Sequence, residues 1–203
     1  SAKAKTSKIT VKKASTLIDK YNALYYYKDV KKGVYYIGVY NKDAHQFIKG
    51  VKVKVKVFTG KKAKTYTLKT KKDGFAVLKT KGIKVGKHKV QITFKGNKNF
   101  KKSKAKATIE VSKKMRTYIG YHSIMTFYSY GSVSGRSISV YLEDMNGKEL
   151  RKKVTLISSS GDKTTGYSGD SISMPYVYSG GSLTLKFAGD KKYMPSTFTI
   201  HFV

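Results

Sequence analysis

Three kinds of residue in this sequence could do chemistry, and two of them are spaced wrongly for it. Nucleophilic hydrolysis needs a serine, a base and an orienting acid brought together. The nearest approach to a nucleophile elbow is Gly166-Tyr167-Ser168-Gly169-Asp170, which has Asp where G-x-S-x-G requires its second glycine and reads better as a polar loop. Metal binding fares no better. The histidines His45, His88, His122 and His201 are scattered singly and there is no cysteine, so neither H-E-x-x-H nor a Cys/His set can be formed. Glu143-Asp144-Met145-Asn146-Gly147 is rich in oxygen atoms but lacks the spacing of a calcium loop, and a hairpin turn explains it better. No catalytic residue, metal ligand or cofactor is expected, and the chain reads as a non-enzyme.

The third kind is lysine with tyrosine. Lys52, Lys54 and Lys56 alternate with Val51, Val53, Val55 and Val57, while Tyr25-Tyr26-Tyr27, Tyr121, Tyr128 and Tyr130 supply aromatic rings. Exposed tyrosines stack on sugars at low entropic cost, and lysines between them pair with acidic substituents, so these residues form the candidate binding set for a glycan. The competing explanation is that strand tyrosines cover the core, which is favoured for Tyr35; the triple-Tyr stretch cannot place every ring inward. A Lys–Asn isopeptide crosslink would need a buried acid, and Glu110 is the candidate helper, with no partner pair specified by the sequence.

Charge sharpens the choice of partner. The net charge is +32, and residues 1–114 hold 33 Lys against five acids, while 115–203 hold ten basic residues against six acids. A field concentrated in one half attracts polyanions. Of the 43 basic residues only Arg116, Arg136 and Arg151 are arginine, and the guanidinium fork is what reads phosphates and base edges, so nucleic acid is disfavoured. The expected partner is an anionic polysaccharide, a cell wall, or a host or partner-cell surface. The plainer alternative is a structural spacer whose lysines only solvate it.

The elements that must position these residues are strands. Val51–Val57 puts four valines on one face and three lysines on the other, a half-buried strand. Similar runs occur at 8–11, 34–40, 65–68, 75–78, 89–94 and 105–111, then at 116–121, 137–142, 154–158, 166–167, 171–174, 183–187 and 198–202, with turn signals such as Asp73-Gly74 and Asn146-Gly147 between them. No segment carries a helical stripe. The expected fold is all-β, two tandem immunoglobulin-like β-sandwich domains: a basic one over 1–112 and a near-neutral, Tyr/Ser-rich one over 115–203, joined at Ser112-Lys113-Lys114.

Two internal matches support the repeat. Val39-Tyr40 with Asp43 recurs as Val140-Tyr141 with Asp144. The corner Phe94, Gly96, Phe100 recurs as Phe187, Gly189, Tyr193, where each glycine permits a tight turn and each final aromatic folds back over the sandwich. There is no apolar run of about 18 residues to span a bilayer, so no membrane insertion is expected. The first residues lack the apolar stretch of a signal peptide, and a secreted parent would make this chain a fragment.

The order Lys64–Thr70, Lys72-Asp73-Gly74-Phe75-Ala76, Gly86-Lys87-His88-Lys89-Val90 and Phe94–Phe100 resembles the Ig-like repeats of adhesin-like surface proteins, particularly those of methanogenic archaea. The resemblance covers about residues 8–111 well and 115–203 more loosely. It implies an extracellular, often multi-repeat stalk or adhesive protein, at the cell surface or associated with the wall; independently of it, no cofactor is expected and the chain is expected to be a monomer.

Overall fold

A computed structural model describes residues 12–203, so the strand expected at 8–11 lies outside the described residues. The chain divides into two compact units, the first ending at Ser112 and the second spanning Lys113–Val203. No described residue is helical.

The first unit contains β1 (Thr16–Asp19), β2 (Ala23–Tyr26), β3 (Val34–Asn41), β4 (Gln46–Phe47), β5 (Lys52–Thr59), β6 (Lys62–Lys69), β7 (Phe75–Lys79), β8 (Gly86–Phe94) and β9 (Ser103–Ser112). One sheet is built around β3, which pairs with β1, β4 and β7; the other runs β2-β9-β8-β5-β6. Their inner faces close over Tyr35, Ile37, Val39, Val53, Val55, Leu78, Ile92 and Ile109, all essentially fully buried. Because side chains alternate along a strand, burying Val53, Val55 and Val57 forces Lys52, Lys54 and Lys56 outward. The four-residue β1 and β2 are too short to show a period of their own, and partners across the sheet define them.

The second unit contains β10 (Thr117–Ser129), β11 (Ser132–Asp144), β12 (Lys153–Ser158), β13 (Lys163–Tyr167), β14 (Ser171–Pro175), β15 (Ser182–Phe187) and β16 (Ser196–His201). Its sheets run β10-β11-β14 and β13-β12-β15-β16. The second of these has the same strand order as β6-β5-β8-β9, and β10-β11-β14 matches β1-β3-β7. Both units are immunoglobulin-like sandwiches in which each sheet collects strands from distant parts of the sequence. The expected all-β, two-sandwich architecture is therefore what the chain adopts.

The two units share one construction detail. Thr16 donates to Lys101 O and to Ser103 Oγ, and Thr117 donates to Met194 O and to Ser196 Oγ. Asn97 Oδ1 accepts from the amides of Asn99 and Phe100, as Asp190 Oδ1 does from Lys192 and Tyr193. The corner match is thus structural in both units. The other internal match is out of register: Thr16 pairs with Asn41 and Thr117 with Asp144, which makes Leu142-Glu143, and not Val140-Tyr141, the counterpart of Val39-Tyr40. A shift of two residues keeps every side chain on its face, which is why the sequence pattern tolerated it.

One long hairpin was not apparent from the sequence. β10 runs to Ser129 and β11 starts at Ser132, with only Tyr130 and Gly131 between them, at φ of 48° and 78°. Two successive positive φ angles are the signature of a type I′ turn, normally announced by Asn-Gly or Asp-Gly; Tyr-Gly does not announce it.

Candidate functional site

The outer face of the five-stranded sheet gathers charge that the sequence scatters over three strands. Lys54 pairs across to Thr93 and Thr93 to Lys104; Lys56 pairs to Gln91 and Gln91 to Lys106. Cross-strand partners lie on the same face, so these are two parallel rows, each with a polar residue between two lysines. Strand spacing and rise put the four lysine positions at the corners of a rectangle roughly 7 Å by 10 Å. The rows line an open groove of about 790 Å³ whose lining contains no carboxylate. Lys52 lies one step along β5 and, with Lys54, Thr67, Thr93 and Lys95, lines a neighbouring groove of about 470 Å³.

Among the described residues neither groove is lined by a carboxylate. The ion pairs Arg151–Asp170 and Lys152–Asp190 both lie in the second unit. Glu110 sits opposite Lys87, about four residues along β9 from Lys106, half-buried beside Leu24. It lies on the outer face and is not the core acid that an isopeptide crosslink would require. Lys104 and Lys106 escaped the sequence reading because only pairing through β8 shows that they share a face with Lys54 and Lys56.

The triple tyrosine divides. Tyr25 is half-buried and its hydroxyl donates to Val34 O at 2.5 Å, while burial and then the neighbouring Tyr21 push its phenol well above the ordinary value. Tyr26 is buried, so both rings belong to the packing and not to a binding face. Tyr27 alone is exposed, with Lys28 Nζ 5.9 Å above its ring. Tyr35 is fully buried; its hydroxyl donates to Tyr21 O at 2.6 Å, and burial pushes its pKa up to about 12.

In the second unit all three candidates are exposed. Tyr121 packs against Phe198 with ring centres 6.0 Å apart, and Tyr128 and Tyr130 project from the end of the β10–β11 hairpin. Tyr118, Tyr167, Tyr176 and Tyr178 are exposed as well. Tyr176 and Tyr178 were missed because the segment between β14 and β15 gives no periodic signal.

The remaining candidates serve the fold. Ser168 is buried, donates to Leu150 O and accepts from Lys152 N at 2.9 Å, which occupies its hydroxyl in a loop contact. Asp144 Oδ1 accepts from Asn146 N and Lys148 N and so closes the turn that the 143–147 segment forms. His88 is buried with Nδ1 2.9 Å from Phe58 O and Nε2 2.8 Å from Lys84 O, tying the segment before β8 to the end of β5. Among the described residues no group of three or more His, Asp or Glu could hold a metal ion.

No protein-family model and no curated protein matches this sequence. Solved structures do. A bacterial 1.5-MDa ice-binding adhesin, studied for its retention at the host cell surface, is similar over 95% of this chain at 11% identity and a TM-score of 0.32. Fibronectin(III)-like modules of Clostridium thermocellum CbhA are similar over 92% of this chain and 93% of theirs, at 14% identity and a TM-score of 0.31. A Ca²⁺-stabilised, ice-binding adhesin of an Antarctic bacterium is similar over 94% of this chain at 10% identity and a TM-score of 0.32. The chain spans 66% and 48% of the lengths of the two adhesin chains.

Proposed function

We propose that this chain is a non-catalytic adhesive segment of a cell-surface protein, displayed outside the cell, whose first unit holds an anionic wall polymer, an acidic glycan or a host-cell surface. The observation that carries this reading is the acid-free rectangle of Lys54, Lys56, Lys104 and Lys106 around Thr93 and Gln91. A shallow sheet face open along its length suits an extended polymer better than a small molecule, which is normally enclosed in a concave site. Lysine ammonium groups are compact, mobile point charges, so they select for charge density and tolerate variation in the ligand's geometry. The resemblance carried by residues 64–100 sets the same proposal in an archaeal envelope.

The test compares two variants that lose equal charge. Lys54→Gln/Lys56→Gln/Lys104→Gln/Lys106→Gln empties the groove; Lys31→Gln/Lys32→Gln/Lys71→Gln/Lys72→Gln removes exposed lysines from turns. Binding of polygalacturonate to the first should weaken by about tenfold or more, and to the second far less. Equal losses would reduce the groove to a share of the net charge and sink the site.

A second reading, a load-bearing spacer with no ligand of its own, is favoured by one observation. β2 pairs parallel to β9, from Ala23 opposite Ile109 to Tyr26 opposite Ser112. An early strand lying parallel to the last one is loaded in shear when the unit is pulled from its two ends, so its hydrogen bonds resist together. The two readings are compatible in a stalk that also adheres.

A further inference from the structure

Arg136 is the least expected charge in the molecule. It lies on the inward face of β11, in line with Ile138, Val140 and Leu142, and is only 8% exposed. Its guanidinium stacks on Phe202, 3.9 Å from the ring centre; Nε donates to Val177 O at 3.3 Å and Nη1 to Thr126 Oγ1 at 2.7 Å. A guanidinium has five N–H donors, and buried charges are ordinarily paired. Here two donors are used, both acceptors are neutral, and no carboxylate among the described residues pairs with it. No buried side-chain nitrogen lacks a partner, so Nη2, which makes no hydrogen bond, is open to solvent.

Tyr176 and Tyr178, both exposed, flank Val177, whose carbonyl oxygen accepts from Arg136. Tyr176 donates its amide to Ser134 O at 3.1 Å, which sets the segment after β14 against the β10–β11 hairpin, and the rings of Tyr176 and Tyr178 lie 6.4 Å apart. Tyr128 and Tyr130 are the exposed rings of that hairpin's end. Tyr130 and Tyr176 have φ of 48° and 57°, and only one other non-glycine among the described residues, His45, is positive. The two-residue hairpin turn requires this of Tyr130, whereas Tyr176 holds it just after β14, where its amide donates to Ser134 O. Two exposed tyrosines on either side of the residue that a buried, carboxylate-free guanidinium bonds do not belong to core packing.

We propose that this end of the second unit binds a carboxylated sugar: the open edge of Arg136 takes the carboxylate in a forked pair of hydrogen bonds while the tyrosines stack on the ring. The planar fork matches a carboxylate bidentately, and exposed tyrosine rings stack on a sugar's C–H face. This goes beyond the lysine-face reading and stands or falls apart from it.

The experiment titrates the full chain with glucuronate and with glucose, following the Nε–H resonance of Arg136 and the tyrosine ring signals by NMR. Glucuronate should move both sets and glucose neither. Arg136→Met, which keeps the side chain's bulk, should weaken glucuronate binding about tenfold or more; Arg136→Lys, keeping charge but not the fork, should also weaken it; and the exposed Tyr178→Ala, safe for folding, should weaken it several-fold. The four-lysine groove variant should bind glucuronate as the parent does, which separates this site from the polymer face. An unmoved Arg136 signal, equal binding of glucose, or tighter binding of N-acetylglycine than of glucuronate would overturn the proposal.

Discussion

Gly96 and Gly189 occupy the same place in two corners, with φ of 80° and 81°. A Cβ on Gly96 would lie 2.7 Å from Phe100 O, and one on Gly189 would lie 2.8 Å from Pro195 N, in each case against backbone that cannot step aside. Gly96→Ala and Gly189→Ala should each destabilise their unit by roughly 1–3 kcal/mol, read as a lower midpoint in chemical denaturation. The corners differ in one residue with a consequence for pH. Asp190 is held down to about 2, chiefly by its hydrogen bond and ion pair with Lys152 (Nζ–Oδ2 2.9 Å) and further by the amides of Lys192 and Tyr193; Asn97, its counterpart, cannot titrate. A carboxylate depressed on folding stabilises above its ordinary value of 3.8 and ceases to as pH falls toward 2. Hydrogen exchange on the full chain between pH 4 and 2 should therefore open the 190–196 corner before the 97–103 corner, and Asp190→Asn should remove the difference. The glycines of both corners were legible in the sequence; the charge difference was visible there too, but its effect required knowing that Lys152 comes within reach.

At the scale of elements, legibility follows burial. Strands buried on one face declare themselves, as Val51–Val57 does, because the core imposes the alternation that the sequence shows. β10 beyond Tyr121 does not, since exposed or half-buried positions on both of its faces leave no period to read. The candidate tyrosines were hardest to place: Tyr25 and Tyr26 are drawn inward by an edge strand of four residues, and no local signal separates them from Tyr27. The same edge strand has a mechanical consequence. Each unit has one parallel bridge ahead of its first long strand, Ala14 opposite Phe100 and Met115 opposite Tyr193, and among the described residues the first unit adds four parallel residue pairs between β2 and β9. Pulled end to end in single-molecule force spectroscopy, the first unit should unfold at the higher force. Tyr25→Pro, which fixes φ and removes an amide donor from β2, should bring the two closer together. Indistinguishable forces in the parent chain would remove the support for a load-bearing role.

For the whole molecule, the question is whether the +32 charge acts as a diffuse field or through one surface. The sequence shows that most of the charge belongs to the first 114 residues, but the assembly of Lys54, Lys56, Lys104 and Lys106 into one face depends on β8 lying between β5 and β9, which no local pattern encodes. The two possibilities differ in their response to salt. Each charge neutralised on a flexible polyanion contributes about 0.7 to the slope of log K against log salt, so a ligand held by the four groove lysines should give a slope near −3. A polymer wrapping the whole basic half would engage many more lysines and give a slope several times steeper. Measured with polygalacturonate between 50 and 200 mM NaCl, a slope near −3 corresponds to a loss of roughly 60-fold in affinity, large enough to read without ambiguity. The groove variant should then lie close to flat, because the lysines that remain are screened beyond about 10 Å in 0.1 M salt and are not arranged in facing rows. A steep slope unchanged by the four substitutions would transfer the function from the groove to the field.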